Sequence, residues 1–229
     1  MKRFWKAVDV EQGGDGWEIL LDGRSVRTPA RVPLILPSRA LGEEIADEWR
    51  GVGETIDPRA MPMTGLANAA IDRVEPDKAA FARGIARYAE ADLACYRADG
   101  PKELVARQAE GWDKLLNWAR RRYDVDFAVT TGIIHVAQPK ATVDRLAHAV
   151  EALDPFKLAG LSQLVTIGGS LVTALAVLEE SITPDAAWEA VSLDDRWQLE
   201  QWGADDEAQT VLANRRSDFL AAAAFLDLV

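Results

Sequence analysis

The spacing of apolar residues changes once along the chain, near residue 40. Before that point, apolar and polar residues alternate between glycines, and this pattern predicts short strands. We predict strands over residues 4–10, 17–21, 24–28 and 34–36. Asp22-Gly23 is predicted to form a two-residue hairpin turn, because both residue types tolerate positive φ. The result is a small antiparallel sheet that needs helices packed beside it to be stable.

Residues 41–74 connect this predicted sheet to the rest of the chain. Ser38 is suited to cap a helix there, and apolar residues at four-residue spacing give that helix one buried face: Leu41, Ile45 and Trp49. The run 56–63 contains two prolines and is predicted to be extended. A second helix is predicted to start near Thr64. We interpret Trp49 as a structural anchor of the connecting segment.

Beyond residue 75 apolar residues recur every three to four positions, which predicts helices. The predicted helix starts are marked by Pro76, Pro101, Pro139, Thr183-Pro184 and Ser192. The first of these helices is predicted to carry Phe81 through Leu93, and the last to run from about Asp205 to Leu228 after a stop at Gly203. Residues 125–136 have strand-like composition and are predicted to be extended or loop.

The uncharged run 158–178 has the length of a membrane span. Its hydroxyl and amide side chains, together with Gly168-Gly169 at the middle, favour two short buried helices instead. The predicted fold class is therefore α+β, a small N-terminal antiparallel β domain followed by a larger all-helical C-terminal domain. We place the β-rich domain with its crossover helix at residues 1–60 and the helical domain at 61–229.

Charge and cysteine content exclude several classes of function. The 229 residues carry a net charge of -11 and a pI near 4.7, which argues against nucleic-acid binding and against an anionic membrane surface. The acids concentrate after Glu179, so a protein partner with a basic surface would be steered there. The single Cys95 excludes an internal disulfide and fits a reducing compartment. The N-terminus lacks the features of a secretory signal or presequence, and no coiled-coil heptad is present, so we expect a cytoplasmic monomer.

The sequence offers few groups for catalysis. His135 and His148 have no cysteine or clustered acid at ligand spacing, so no metal site is expected. The TIGGS stretch at 166–170 lacks the lysine and glycine spacing of a P-loop. The acids at 205–207 have the chemistry of a general acid and base for a hydrolase, although helix N-termini also attract acids for structural reasons. Most tryptophans are predicted to lie in the core, but Trp202, beside these acids, is suited to a protein-binding surface.

A set of short motifs occurs in a specific order along nearly the whole chain. They are RFWK (3–6), LDGR (21–24) with Thr28-Pro29, EW (48–49), MPMT (61–64), AID (70–72), DLACYR (92–97), Gln108 with Trp112-Asp113, WQ (197–198) and WGADDEA (202–208). In this order they resemble the assembly chaperones for the alpha subunit of the F-type ATP synthase catalytic head. Two positions depart from the family pattern. Arg50-Gly51-Val52 replaces a glutamine after EW, and Lys114 replaces a proline after Trp112-Asp113.

The resemblance implies a two-domain protein without enzymatic activity and without a nucleotide or metal cofactor. It implies binding of the unassembled alpha subunit, whose apolar assembly surface is shielded until the beta subunit takes its place. The family occurs in mitochondria and in some bacteria, and this chain resembles a bacterial member. The motif positions Asp205 and Glu207 are the candidate partner contacts, together with Trp202 and Trp197. Two other hypotheses stay open: a small hydrolase that uses the acids at 205–207, and a structural adaptor for a different protein.

Overall fold

The computed structural model describes residues 2–203 and 206–229. Contacts within the chain divide it into two compact units. The first unit runs to Lys78 and includes Asp154–Gly160 and Ala224–Val229, and the second contains Ala79–Leu153 and Leu161–Ala223. The fold class is α+β as predicted, with a small N-terminal antiparallel sheet followed by a helical region. The domain boundary placed after residue 60 stays a prediction.

The sheet of the first unit contains four strands. These are β1 (Val8–Gln12), β2 (Trp17–Leu21), β3 (Arg24–Ser25) and β4 (Ile35–Leu36). Strand β2 is central and pairs antiparallel with the other three. The predicted hairpin between β2 and β3 is confirmed, because Asp22 and Gly23 have φ values of 49° and 76°.

Three predicted strands are longer than the observed ones, the fourth by a single residue. Residues 4–7 were expected in the first strand, but the Asp22 carboxylate accepts hydrogen bonds from the amides of Lys6 and Ala7 at 3.0 and 2.8 Å. The chain therefore joins the sheet only at Val8. The third predicted strand ends early because the Thr28 amide donates to the Val32 carbonyl in a turn.

Helix α1 (Arg39–Gly51) has the predicted cap and the predicted buried face. The Ser38 hydroxyl accepts from the Leu41 amide at 3.0 Å, and the predicted apolar face is buried. The extended run expected over 56–63 is wrong in part. It contains a 3₁₀ turn at Pro58–Ala60, and Pro62 begins helix α2 (Pro62–Ala69). Proline fits this first helical position because the amide there needs no partner within the helix.

The remaining helices are mostly in the second unit. They are α3 (Lys78–Ala86), α4 (Lys102–Tyr123), α5 (Lys140–Glu151), α6 (Pro155–Gly168), α7 (Leu171–Leu178), α8 (Pro184–Val191), α9 (Leu193–Trp202) and α10 (Asp206–Asp227). The uncharged run forms two helices as predicted, joined where Gly169 has a φ of 68°. No helix among the described residues is long and apolar enough to cross a membrane.

Two local predictions for the second unit need correction. The helix expected to reach Leu93 ends at Ala86, and Leu93 lies in a separate 3₁₀ turn. The Ser192 hydroxyl does not cap α9, because it donates to the Trp188 carbonyl of the preceding helix at 2.7 Å. The stretch 125–136 is extended or loop as predicted, and it contains a short strand β6 (Thr130–Thr131) that pairs in parallel with β5 (Tyr96–Arg97).

Each unit has its own apolar core. In the first unit Trp5 packs edge-on against Trp49, with ring centroids 5.1 Å apart, and both rings are buried. In the second unit Trp112 and Trp188 are buried as predicted, and the Trp112 indole donates to the Ala190 carbonyl at 2.8 Å. Trp188 also packs against Phe219. Most large aromatic side chains of the chain thus pack in one of the two cores.

Candidate functional site

In the first unit, residues of one family motif form hydrogen bonds with residues of another. The Glu48 carboxylate of the EW motif accepts from the Met63 amide at 2.7 Å, from the Thr64 amide at 2.8 Å and from the Thr64 hydroxyl at 2.6 Å. These two amides belong to the first turn of α2, which has no capping side chain of its own. Burial raises the pKa of Glu48, and the bonds from Thr64 and Met63 oppose that rise.

Two further motif acids of the first unit also hold backbone amides. Asp22 of LDGR binds the Lys6 and Ala7 amides beside RFWK, and these bonds lower the pKa of Asp22. Asp72 of the AID motif accepts from the Ala30 amide at 3.0 Å. Ala30 directly follows Thr28-Pro29. These acids therefore fix loops of the first unit.

Asp92 of DLACYR performs the same task at the start of α7. Its carboxylate is fully buried and accepts from the Ala94 amide at 3.0 Å, the Ser170 hydroxyl at 2.8 Å and the Val172 amide at 2.9 Å. Burial raises the pKa of Asp92, while the hydrogen bonds, led by that from Val172, act against the rise. The motif joins the 3₁₀ turn to the helix that follows the glycine joint.

Arg97, the last residue of DLACYR, connects that motif to the next one. Its guanidinium donates to the Gln108 carbonyl at 2.9 Å and to Asp113 at 2.7 Å, and lies over the Trp112 ring at 5.2 Å. The Gln108 side chain accepts from the Ala98 amide and donates to Asp194 Oδ1, both at 2.8 Å. Two neighbouring motifs and Asp194 of α9 thus form one polar network in the second unit.

Cys95 and the histidines give no sign of a reactive centre. Cys95 is buried, and desolvation, with a smaller contribution from Asp92, raises the pKa of its thiol to about 12. His135 and His148 lie on a loop and on α5. No group of three His, Cys, Asp or Glu side chains suited to a metal ion occurs among the described residues.

The predicted contact residues differ in their exposure. Trp202 ends α9 and is 80% exposed, whereas Trp197 is 7% exposed and lies under the Arg107 guanidinium at 4.8 Å. Five residues of helix turn them about 140° apart, so they point to different sides of α9. Glu207 is exposed in the first turn of α10, and Asp205 lies outside the described residues.

A shallow groove of about 260 Å³ runs between α9 and α10. Gln198 and Leu199 line one side, and Val211 and Leu212 line the other. An ion pair between Asp195 and Arg215, at 2.7 Å, ties the two helices together at this groove. Val211 is 52% exposed, so apolar surface continues from the groove into solvent.

Sequence reasoning missed two exposed isoleucines on the loop after β6. Ile133 is 97% exposed and Ile134 is 79% exposed. Ile133 lines a second groove, of about 470 Å³, which also reaches Gln198. Two neighbouring isoleucines in the stretch TTGIIHVAQP were the available signal, but the stretch was predicted only to be extended or loop, with no statement about their exposure.

The two grooves share Gln198, and Trp202 lies one helical turn further along α9. We call the surface formed by Gln198, Trp202 and Val211 the α9 face. Exposed large apolar side chains beside a groove, here Trp202 and Val211, are typical of a protein interaction site. The acids proposed for a hydrolase include Asp206 and Glu207, which are exposed on α10.

Comparison with known proteins agrees with the motif order. Residues 2–120 match the family described as ATP12 chaperone protein. The mitochondrial protein atp12 of Schizosaccharomyces pombe is 24% identical over 98% of this chain and 81% of its own length. The crystal structure of Atp12 from Paracoccus denitrificans is 42% identical, covers 99% of this chain and 97% of that one, and superposes with a TM-score of 0.94.

An Asp-to-Lys mutant of P. denitrificans Atp12p is 41% identical over the same shares of both chains and also gives a TM-score of 0.94. The sequence match and the fold agree. The chain therefore belongs to the ATP12 chaperone family, whose members act in F1-ATPase assembly.

Proposed function

We propose that this chain binds the unassembled alpha subunit of the F1 head and shields its apolar assembly surface until the beta subunit replaces it. The observation that carries the proposal is the α9 face, an exposed apolar surface on a protein of a chaperone family. A subunit that buries a large interface in a ring exposes an aggregation-prone surface while it is alone. A reversible cover for it needs an apolar centre and a polar rim.

The charges around the α9 face fit such a cover. Asp194, Asp195 and Glu200 lie on α9 itself, and Asp206 and Glu207 begin α10. Acids at the rim increase the rate of encounter with a basic partner surface while contributing little to the final affinity. The contact residues that we propose are Trp202 and Glu207, together with Asp205 of the same motif and with Trp197, which supports the groove from within.

The proposed action requires no catalysis and no bound cofactor. The chain would act as a monomer on one alpha subunit, in the compartment where F1 subunits wait for assembly. For a bacterial chain this is the cytoplasm, and for mitochondrial relatives the matrix. The bacterial relatives described above are closer in sequence than the fission-yeast protein, at 41–42% against 24% identity.

The first test is capture of purified alpha subunit by the tagged chain, followed by addition of beta subunit. We expect capture of alpha alone and its release when beta is added. Trp202→Ala should weaken capture about tenfold or more, because a large ring at an interface centre commonly contributes 2 kcal/mol or more. Trp202→Phe, which keeps an aromatic ring, is the matched control. Equal capture by the wild type and Trp202→Ala would remove Trp202 from the site.

Charge reversal tests the acidic part of the site. Glu207→Lys should leave the fold intact and weaken capture of the alpha subunit, with a loss that shrinks as salt concentration rises. Glu151→Lys makes the same change of charge at an exposed position on α5. If both variants lose capture to the same extent, overall charge is responsible and Glu207 is not a specific contact.

A further inference from the structure

The loop after β6 holds its two isoleucines in solvent by fixed contacts on both sides. The Gly132 amide donates to the Arg97 carbonyl at 2.8 Å, and the Tyr96 hydroxyl lies 3.1 Å from His135 Nδ1. Ile133 and Ile134 are the two residues between these contacts. The loop is therefore held in place although its two isoleucines are exposed. Binding through a fixed loop loses less conformational entropy than binding through a mobile one.

The strand that supports this loop is itself fixed to α4. Strand β5 pairs with β6, and its residue Arg97 is held by the Gln108 carbonyl and Asp113. Strand pairing and the hydrogen bonds of Arg97 thus maintain an arrangement that leaves two large apolar side chains uncovered. Single exposed apolar residues are common, but a fixed adjacent pair beside a groove is typical of a binding site.

Several apolar side chains line the groove beside the loop. They are Leu93, Leu104, Ile133 and Trp197. Its volume of about 470 Å³ is within the range of sites that hold several side chains of a ligand. An extended apolar segment would cover Ile133 and place a side chain in this groove.

The charges at the groove select a basic neighbour for that apolar segment. Asp99 and Asp194 line it, and no ion pair joins Asp99 to a basic residue in the described part of the chain. Arg97, the basic residue of the lining, is already bound to Asp113 outside the groove. A Lys or Arg of the partner would therefore meet uncompensated negative charge at Asp99.

We infer that the loop 132–136 and this groove form a second contact for the alpha subunit, which receives an extended apolar segment with an adjacent Lys or Arg. The inference rests on the proposed function and adds to it a position and a ligand chemistry. A second copy of this chain is the less favourable occupant, because a net charge of -11 on each copy opposes self-association.

The test compares capture of purified alpha subunit by three variants. The double change Ile133→Ser and Ile134→Ser should weaken capture about tenfold or more, as for the loss of an interface centre. Asp99→Lys should weaken it about fivefold at low salt and less at high salt. Val32→Ser, at a 43% exposed position of the first unit, is the control and should capture as the wild type does.

Unfolding in urea must give the same midpoint for the double variant and the wild type, as expected for exposed positions. A photo-cross-linking residue at position 133 should then attach to the alpha subunit, and one at position 32 should not.

Full capture by the double variant, with no cross-link from 133, would overturn the inference while capture by the wild type preserves the proposed function. If the wild type captures no alpha subunit, the proposed function fails first. Sedimentation of a dimer that the double variant abolishes would assign the loop to self-association and overturn the inference.

Discussion

Glu48 on α1 caps the first turn of α2 through Thr64, binding both the amide and the hydroxyl of that residue. Helix α2 begins with a proline, and its N-cap residue Met61 has no side-chain oxygen to offer. The carboxylate that accepts from the free amides comes instead from Glu48, which lies on α1, 15 residues before Met63. This contact caps α2 and also holds α2 against α1, so its loss affects both helices.

Glu48→Ala should therefore destabilise the protein. We expect a loss of about 1–3 kcal/mol in the free energy of unfolding, because two amides and a hydroxyl lose their acceptor in a partly buried position. Urea unfolding followed by tryptophan fluorescence measures the change. Glu44→Ala, at an exposed position on the same helix, should stay within about 0.5 kcal/mol of the wild type. Similar values for both variants would contradict the capping role.

Asp92→Asn should destabilise the second unit although it removes a buried charge. All three groups that bind the Asp92 carboxylate donate hydrogen bonds, whereas asparagine offers a single acceptor oxygen and an NH₂ that would face a donor. We expect a loss of about 2–4 kcal/mol, the range for breaking a buried polar network. Thermal unfolding by calorimetry measures it, and a neutral or stabilising result would contradict this account.

The same residue predicts a pH dependence with a definite sign. The pKa of Asp92 is higher in the folded protein than its ordinary value of 3.8, so the folded state keeps a proton that the unfolded state has released. Its contribution to stability therefore falls as pH rises from 3.8 to the folded pKa, and is constant above that. The difference in unfolding free energy between wild type and Asp92→Asn, measured across this interval, should fall with rising pH. A rising difference would contradict the prediction.

Gly160 and Gly111 should respond in opposite directions to alanine. A Cβ at Gly160 would lie 2.7 Å from Leu226 Cδ2 and 2.8 Å from its Cγ, and Leu226 is buried, so overpacking should cost about 1–3 kcal/mol. A Cβ at Gly111, within α4, would meet only Leu193 Cδ1 at 3.7 Å. Gly111→Ala should stabilise by about 0.5–1 kcal/mol through helix propensity. Chemical unfolding of both variants checks the difference in sign.

Cys95 should resist thiol reagents as long as the protein stays folded. Its pKa of about 12, against 9.0 for an ordinary thiol, leaves little thiolate at pH 8, and the sulfur is buried. Reaction with a disulfide reagent should be at least about a hundredfold slower in buffer than in denaturant. Fast reaction in buffer would show that the segment around Cys95 opens readily.

Local signals predicted the elements whose cause is local. The Ser38 cap, the Asp22-Gly23 turn and the glycine joint at 168–169 each depend on a few neighbouring residues, and all three are confirmed. The prediction for Ser192 was wrong because its hydroxyl can either accept from the first amides of α9 or donate to a carbonyl of the preceding helix, and the structure shows the second. Choices between competing partners of this kind depend on the geometry of the folded chain.

The candidate site was harder to predict for a related reason. Helix α9 carries apolar residues on several sides, so its sequence does not say whether Trp197 or Trp202 faces the core. Ile133 and Ile134 resemble strand residues, and only the packed structure shows that nothing in the described chain covers them. The role of Trp49 as an anchor stays a prediction, although its buried contact with Trp5 is consistent with it.

The acids of the motifs up to residue 113, together with Arg97, are bound by other parts of the same chain. These motifs therefore serve mainly to fold the chain, whereas Gln198 and Trp202 of the α9 face belong to the last two motifs. Substitutions at Val211, Ile133 or Ile134, which lie outside every motif, could alter partner choice while the motifs stayed intact. A relative with every motif present could thus have exchanged one client protein for another, and a sequence search would not register the change.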